Sequence, residues 1–210
     1  EGLESLRAAG CTQISVISLY PQYSASTTAS VNDEVFRCLL KMRWQPALRT
    51  AGPWHDHPSY IDALTKSVKK HISKLDWKPE YLIASFHGLP VTYFEKGDPY
   101  HCHCAKTARL LREKLGMSQD NFKLTFQSRF GPTKWLEPYT ETTLRELGEA
   151  GYKNIAVITP GFISDCVETL EEIAIEARET FIKAGGENFT TVPCLNSSPD
   201  SVKLLAQLAH

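Results

Sequence analysis

Five short apolar runs alternate with helical patterns along this chain, and that alternation narrows the possible folds more than any other feature. The runs occupy residues 14–19, 81–86, 122–127, 155–159 and 189–193. Between them apolar residues recur at helical spacing. Val31, Val35, Cys38 and Met42 lie 4, 3 and 4 apart, and Ile61, Leu64, Val68, Ile72 and Leu75 lie 3, 4, 4 and 3 apart. Further helices are predicted over residues 101–115, 136–150, 167–184 and 201–209, with Gly116, Gly151 and Gly185-Gly186 placed to stop three of them. Strands that alternate with helices make βαβ units, so an α/β fold with a mostly parallel sheet is expected.

With 210 residues the chain can form one large domain or two small ones and needs no staple to fold. The tryptophan-, proline- and histidine-rich stretch 44–58 is the best candidate boundary. Only one strand and one helix are predicted before it. The chain is then either one domain with a decorated edge or a truncated first domain followed by a second. Leu3, Leu6 and Ala9 read as the end of a helix already under way, which favours truncation.

Lys+Arg 23 against Asp+Glu 24 gives a net charge of −1, which argues against a nucleic-acid binder. No apolar stretch is long enough to span a bilayer, and the opening Glu1-Gly2-Leu3-Glu4 is acidic where a signal peptide is basic. Apart from Cys102 and Cys104 the cysteines are scattered, with no C-x-x-C, as expected of reduced thiols in a cytoplasmic protein.

In open parallel sheets ligands bind beyond the carboxyl ends of the strands. The segments there are Tyr20-Pro21-Gln22-Tyr23-Ser24, His87-Gly88-Leu89-Pro90, Ser128-Arg129-Phe130-Gly131-Pro132 and Pro160-Gly161-Phe162 through Glu168. His87 is either a loop histidine donating to a backbone carbonyl or a catalytic group. Asp165 and Glu168 have the spacing of a capping box. In an α-helix Val167, Leu170, Ala174, Ala177 and Phe181 would face the core, and Glu168, Glu172, Glu176 and Glu179 the opposite side. The i+4 neighbours of Glu168 and Glu172 are glutamates, an arrangement that costs a few tenths of a kcal/mol per pair. The row is therefore either a solvated face or a guide for cations. Cys102-His103-Cys104 looks metal-like, but on a helix its cysteines point about 200° apart, so Cys104 reads as core and Cys102 as a surface thiol.

Taken together, these segments resemble ferrochelatases. The resemblance rests on Leu19 to Ser24, Phe86-His87-Gly88-Leu89-Pro90, Gly97-Asp98-Pro99-Tyr100, Phe126 to Pro132 with Trp135-Leu136, and Pro160-Gly161-Phe162 with Ser164-Asp165 and Glu168-Thr169-Leu170. They cover nearly the whole chain in the family's order. Gln127-Ser128-Arg129 and Glu171-Glu172 look like bacterial members. The resemblance implies two Rossmann-like, chelatase-type domains with parallel sheets. Residues 1–50 would be the remainder of the first domain and 51–190 the second, with 191–210 a C-terminal segment whose helix packs back on the first.

The implied activity is that of a lyase inserting Fe²⁺ into protoporphyrin IX to form protoheme, the terminal step of heme biosynthesis. By resemblance, His87 faces the porphyrin centre as proton acceptor or metal ligand, with Glu168 opposite. Glu172 and Glu176 continue an acidic metal or proton path, and Tyr20, Trp135 and Phe162 contact the ring. Fe²⁺ is then a substrate and no resident cofactor is expected. Ala25 stands where cluster-bearing members have a cysteine, so no 2Fe–2S cluster is expected either. Cys166 occupies a position that is histidine in some members. Expected partners are protoporphyrin IX and Fe²⁺, without nucleic acid and with room for peripheral membrane contact. A chelatase for cobalt or another divalent metal, and a tetrapyrrole-binding protein without turnover, are the alternatives.

Overall fold

The computed structural model describes residues 2–209. After α1 (Gly2–Ala8), β1 (Gln13–Val16) pairs in parallel with β2 (Ala47–Thr50), register Gln13↔Ala47 to Val16↔Thr50. A π-helical turn, Ala25–Ala29, runs into α2 (Ser30–Leu39), which crosses between these two strands. α3 (Pro58–Ile72) leads to a second sheet made of β3 (Tyr81–His87), β4 (Phe122–Gln127), β5 (Asn154–Ile158) and β6 (Asn188–Thr191). Its order is β4-β3-β5-β6 and every pair is parallel. The short α4 (Val91–Glu95) and α5 (Tyr100–Leu115) connect β3 to β4, and α6 (Thr140–Glu149) connects β4 to β5. A π-helical run, Glu168–Ala177, continuing as α7 (Arg178–Lys183), connects β5 to β6, and α8 (Pro199–Ala209) closes the chain.

β3 carries the second sheet. Its first six residues are buried, as expected of a parallel strand covered on both faces. Side chains alternate across a strand. Leu82, Ala84 and Phe86 enter one core with Tyr60 and Leu64 of α3, Leu111 of α5 and Leu204 of α8. Tyr81 and Ile83 enter the other with Leu144 of α6, Ile155, Val157, Ile173 and Phe181. α8 lies against α3, joined by an ion pair of Lys66 and Asp200, and the Ala209 carbonyl accepts from Ser15 Oγ of β1 at 3.5 Å.

Several sequence expectations are corrected. The first strand ends at Val16 rather than residue 19, because β2, the strand paired with it, is four residues long. β2 itself falls inside the stretch read as a loop. Its alternately exposed Ala-Leu-Arg-Thr carries no apolar run to mark it. The helix expected from residue 136 starts at Thr140, since Pro138 lacks an N–H and turns the preceding residue away from α geometry.

The helix expected over 167–184 is α-helical only from Arg178. A π turn is wider than an α turn, so its buried stripe is Thr169, Ile173, Ala177 and Phe181, spaced by four, and Val167 and Leu170 are exposed. Glu168, Glu172 and Glu176 each precede a buried position. They run along the edge of the stripe rather than opposite it.

Gly185 turns the chain at φ 106°, and Gly186 lies directly against the ring of the fully buried Phe181. A methyl group at position 186 has no room. Gly186→Ala is expected to cost about 1–3 kcal/mol as an overpacking change, read as a lower denaturant midpoint. An unchanged midpoint would show that Phe181 can move aside.

Candidate functional site

The chain leaves β3 toward β4 on one side and later returns to β5 on the other. Such a reversal opens a crevice at the carboxyl ends of the strands. His87, the last residue of β3, sits there. A cavity of about 940 Å³ occupies the crevice, lined by His87, Tyr20, Trp135, Phe162 and Glu168 together with Leu19, Tyr93, Phe130 and Cys166. It is of the size and mostly apolar character of a small-molecule site.

His87 Nδ1 lies 2.7 Å from the Gly88 carbonyl. A carbonyl only accepts, so in the neutral ring Nδ1 carries the proton and Nε2 keeps its lone pair. The carbonyl contact therefore sets the tautomer. The backbone on either side is also held. Tyr100 Oη donates to the His87 carbonyl at 2.9 Å, and the Gly88 N–H donates to the Gln127 carbonyl at 2.7 Å. A Cβ on Gly88 would stand 2.7 Å from that carbonyl oxygen and 3.1 Å from the Trp135 ring, so only glycine fits.

The Phe162 ring centre is 6.4 Å from that of His87. Trp135 is buried, with its ring tilted against Phe130 at 4.9 Å, while Tyr20 is half exposed. Glu168 is held below the usual carboxylate range, first by a hydrogen bond from Cys166, then by its own backbone N–H, with the nearby His87 adding to the effect. The Cys166 thiol is pushed up by burial and by Glu168. At neutral pH the cavity therefore presents a carboxylate and a histidine.

The structure does not gather the whole acidic row in this cavity. Glu172 and Glu176 line an adjoining pocket of about 280 Å³ with Ser128, Arg129 and Tyr139. Glu172 accepts from the Ser128 N–H and the Ser128 hydroxyl, both at 2.5 Å, and from Gln127 Nε2 at 3.1 Å. It thereby holds Ser128 at φ 63°, a left-handed conformation uncommon outside glycine. Gln127 Nε2 also donates to the Glu168 backbone carbonyl at 3.2 Å, so one amide joins the Glu172 carboxylate to the Glu168 backbone.

Asp165 and Glu168 do not form a capping box. Asp165 accepts from Cys194 N–H at 3.1 Å and Asn196 Nδ2 at 2.7 Å, tying the helix entry to the loop after β6. Burial opposes its ionisation, yet these bonds, led by that from Asn196, keep it below the usual carboxylate range. Cys104 is fully buried and Cys102 exposed, as the helix geometry requires. Among the described residues no group of three or more His, Cys, Asp and Glu side chains is arranged to hold a metal.

Sequence reasoning missed the buried polar contacts that support the site. Tyr60 Oη donates to the Pro160 carbonyl, Gln22 Nε2 to Thr107 Oγ1 at 3.1 Å, and Thr107 Oγ1 to the His55 carbonyl at 2.7 Å. His55 stacks on His103 with ring centres 3.7 Å apart, and His103 Nδ1 accepts the Tyr23 N–H at 3.2 Å. The only signal for any of these was that Gln22 and Tyr23 fall within the segment after the first strand.

The ferrochelatase family model matches residues 1–210. The chain belongs to the ferrochelatase family. It is 62% identical over 203 residues to a ferrochelatase of Rhizobium meliloti (strain 1021), covering 97% of this chain and 60% of that protein. It is 59% identical over 208 residues to one of Rhizobium etli (strain CIAT 652), covering 99% and 60%. A ferrochelatase of Brucella ovis is 51% identical over 201 residues, covering 96% and 57%. The chain thus spans about 60% of the length of these curated relatives. Among solved structures, SirB from Bacillus subtilis with Fe³⁺ superposes with TM-score 0.67 at 16% identity, covering 99% of this chain and 76% of that one. DR2241 from Deinococcus radiodurans, described as structurally similar to chelatases, gives 0.61 at 12% identity, covering 94% and 41%. The fold is chelatase-like.

The histidine stack has a consequence in acid. Burial, then the neighbouring ring, lowers His55 from its ordinary 6.5 to about 4, and burial also lowers His103. Below pH 6.5 the unfolded chain therefore binds more protons than the folded one, so stability falls as pH drops toward about 4 and is fully present above 6.5. Thermal unfolding across this window is expected to show a falling Tm, with a shallower fall in His55→Gln. Parallel profiles for the two proteins would show that the stack does not contribute.

Proposed function

We propose that this chain carries the metal-insertion site of a ferrochelatase, a lyase that inserts Fe²⁺ into protoporphyrin IX to give protoheme in the terminal step of heme biosynthesis. One observation carries the reading. His87, with its Nε2 lone pair free in the neutral tautomer, and the Glu168 carboxylate share one cavity with Tyr20, Trp135 and Phe162. Insertion releases two pyrrole protons, and an imidazole with a free nitrogen lone pair suits their removal. Imidazole and carboxylate are also donors of moderate affinity that can take Fe²⁺ from water and give it up. The aromatic walls supply apolar contact for the macrocycle. His87 is the proton acceptor or a metal ligand, with Glu168 opposite.

Glu172 and Glu176 continue the path along the π-helical run. Support comes from the Gln127 amide that bonds the Glu168 backbone carbonyl and the Glu172 carboxylate and from the pocket that Glu172 and Glu176 share. Residues 1–50, with β1 and β2, belong to a first chelatase domain. Residues 51–190 form the second, and 191–210 the returning segment. The protein acts in the cytoplasm without a 2Fe–2S cluster. The exposed Leu19 and Phe130 on the cavity lining support a peripheral membrane contact.

In the full-length protein, His87→Ala is expected to lower kcat for Fe²⁺ insertion by at least about 10²-fold, the lower range for a general base, with little change in Tm. Near-normal turnover would remove the assigned role. Glu168→Gln should abolish most activity. Glu172→Gln should raise the apparent KM for Fe²⁺ more than that for porphyrin. If it lowers Tm and leaves Fe²⁺ dependence unchanged, the glutamate only holds Ser128.

A further inference from the structure

The two sheets share no strand pairing, so something else must fix the wall that follows β1 against the wall that follows β3. Three residues along one edge of α5 and its entry do so. Gln22 bonds to Thr107, the Tyr23 N–H to His103, and Ser24 and Ala25 to Asp98. As the loop advances from residue 22 to 25, its partners step back along α5 toward the helix start.

Asp98 is the only carboxylate in this set and the one point where the contact continues to His87. Its Oδ2 accepts from Ser24 Oγ at 2.9 Å and from the Ala25 N–H at 2.7 Å. Its Oδ1 accepts from the Tyr100 N–H at 3.0 Å. Tyr100 in turn donates its hydroxyl to the His87 carbonyl at 2.9 Å. Burial raises the Tyr100 hydroxyl well above its usual range, so it stays protonated and keeps donating. Ser24 is fully buried and caps the turn Ala25–Ala29, its Oγ accepting from the Ser26 N–H at 3.2 Å. Ser24, Ser26, Thr27 and Tyr100 all line the cavity that contains His87.

We propose that Asp98 is a positioning residue that locks the cavity wall formed by residues 20–27 to the backbone of His87 through Tyr100. A flat, rigid ligand touching both walls needs their separation fixed before it arrives, because ordering them on binding costs affinity. Asp98 touches neither ligand nor reacting atoms. Its loss loosens the grip on the macrocycle and leaves the metal-facing groups intact. The identity of the ligand rests on the ferrochelatase reading above; the lock itself does not.

Asp98→Asn turns one acceptor into a donor facing donors. In the full-length protein it is expected to raise the porphyrin KM at least about tenfold, the scale of losing a hydrogen bond to a charged group. The KM for Fe²⁺ and the pH profile of kcat should stay unchanged, and Asp98→Glu should recover part of the loss. Unchanged porphyrin KM, or a loss shared equally by both substrates, overturns the proposal.

A second measurement is independent of activity. Amide hydrogen exchange in Asp98→Asn should quicken at Ala25 and Tyr100 while β3 stays protected. Protection retained at both amides overturns the lock even if the wild-type protein binds no porphyrin, in which case the failed reading is that of function. If Asp98→Asn does not fold, Ser24→Ala removes one arm of the same contact and should quicken exchange at Ala25. No change there overturns the lock equally.

Discussion

β3 is hydrogen-bonded on both sides and buried along six of its seven residues. The seventh is His87, where the strand passes out of the double core into the crevice. A parallel strand in this position must have helices on both faces, and α3, α5 and α8 on one side with α6 and α7 on the other provide them. The site depends on this because the strand delivers a half-buried polar ring to a fixed point. The close approach of Gln127 and Trp135 to Gly88 then leaves the chain one way to turn.

The helix after β5 brings Glu168 to that point and leaves Glu172 and Glu176 in the second pocket. Long π-helical runs are rare, and π geometry tends to occur at functional sites. Here the wider turn makes burial repeat every four residues. It places Glu168 and Glu172, both half-buried, beside the buried stripe, while Glu176 is exposed. The cost of stacking glutamates is partly offset at Glu172 by three donors from Gln127 and Ser128. That carboxylate therefore supports the turn after β4 as well as lying on the row.

Much of this was legible in the sequence. The central strands announced themselves as apolar runs bounded by glycine and proline, and the α/β class followed from their alternation with helices. The residues after the strands were legible as the rim of the cavity. The chain's likeness to ferrochelatases in those same segments singled out His87, Glu168, Tyr20, Trp135 and Phe162, which the fold brings to one cavity. β2 was not legible because Ala47–Thr50 is half exposed and bears an arginine. In the helix after β5, Ala177 and Phe181 are buried as expected, but Val167 and Leu170 are exposed, because the 3.6-residue period applied there does not hold in a π-helical segment. The contacts of Asp98, Tyr100 and Gln22 were invisible for another reason. Buried polar partners up to 85 residues apart leave no local periodicity.

The proposed function needs one cavity to hold a porphyrin between His87 and Glu168. A crystal structure of the full-length protein with bound protoporphyrin tests this most directly. The macrocycle is expected in the cavity, against Tyr20, Trp135 and Phe162, with the pyrrole nitrogens facing His87 Nε2 and Glu168 on the other side. A macrocycle bound elsewhere, or one whose nitrogens face away from both residues, would contradict it.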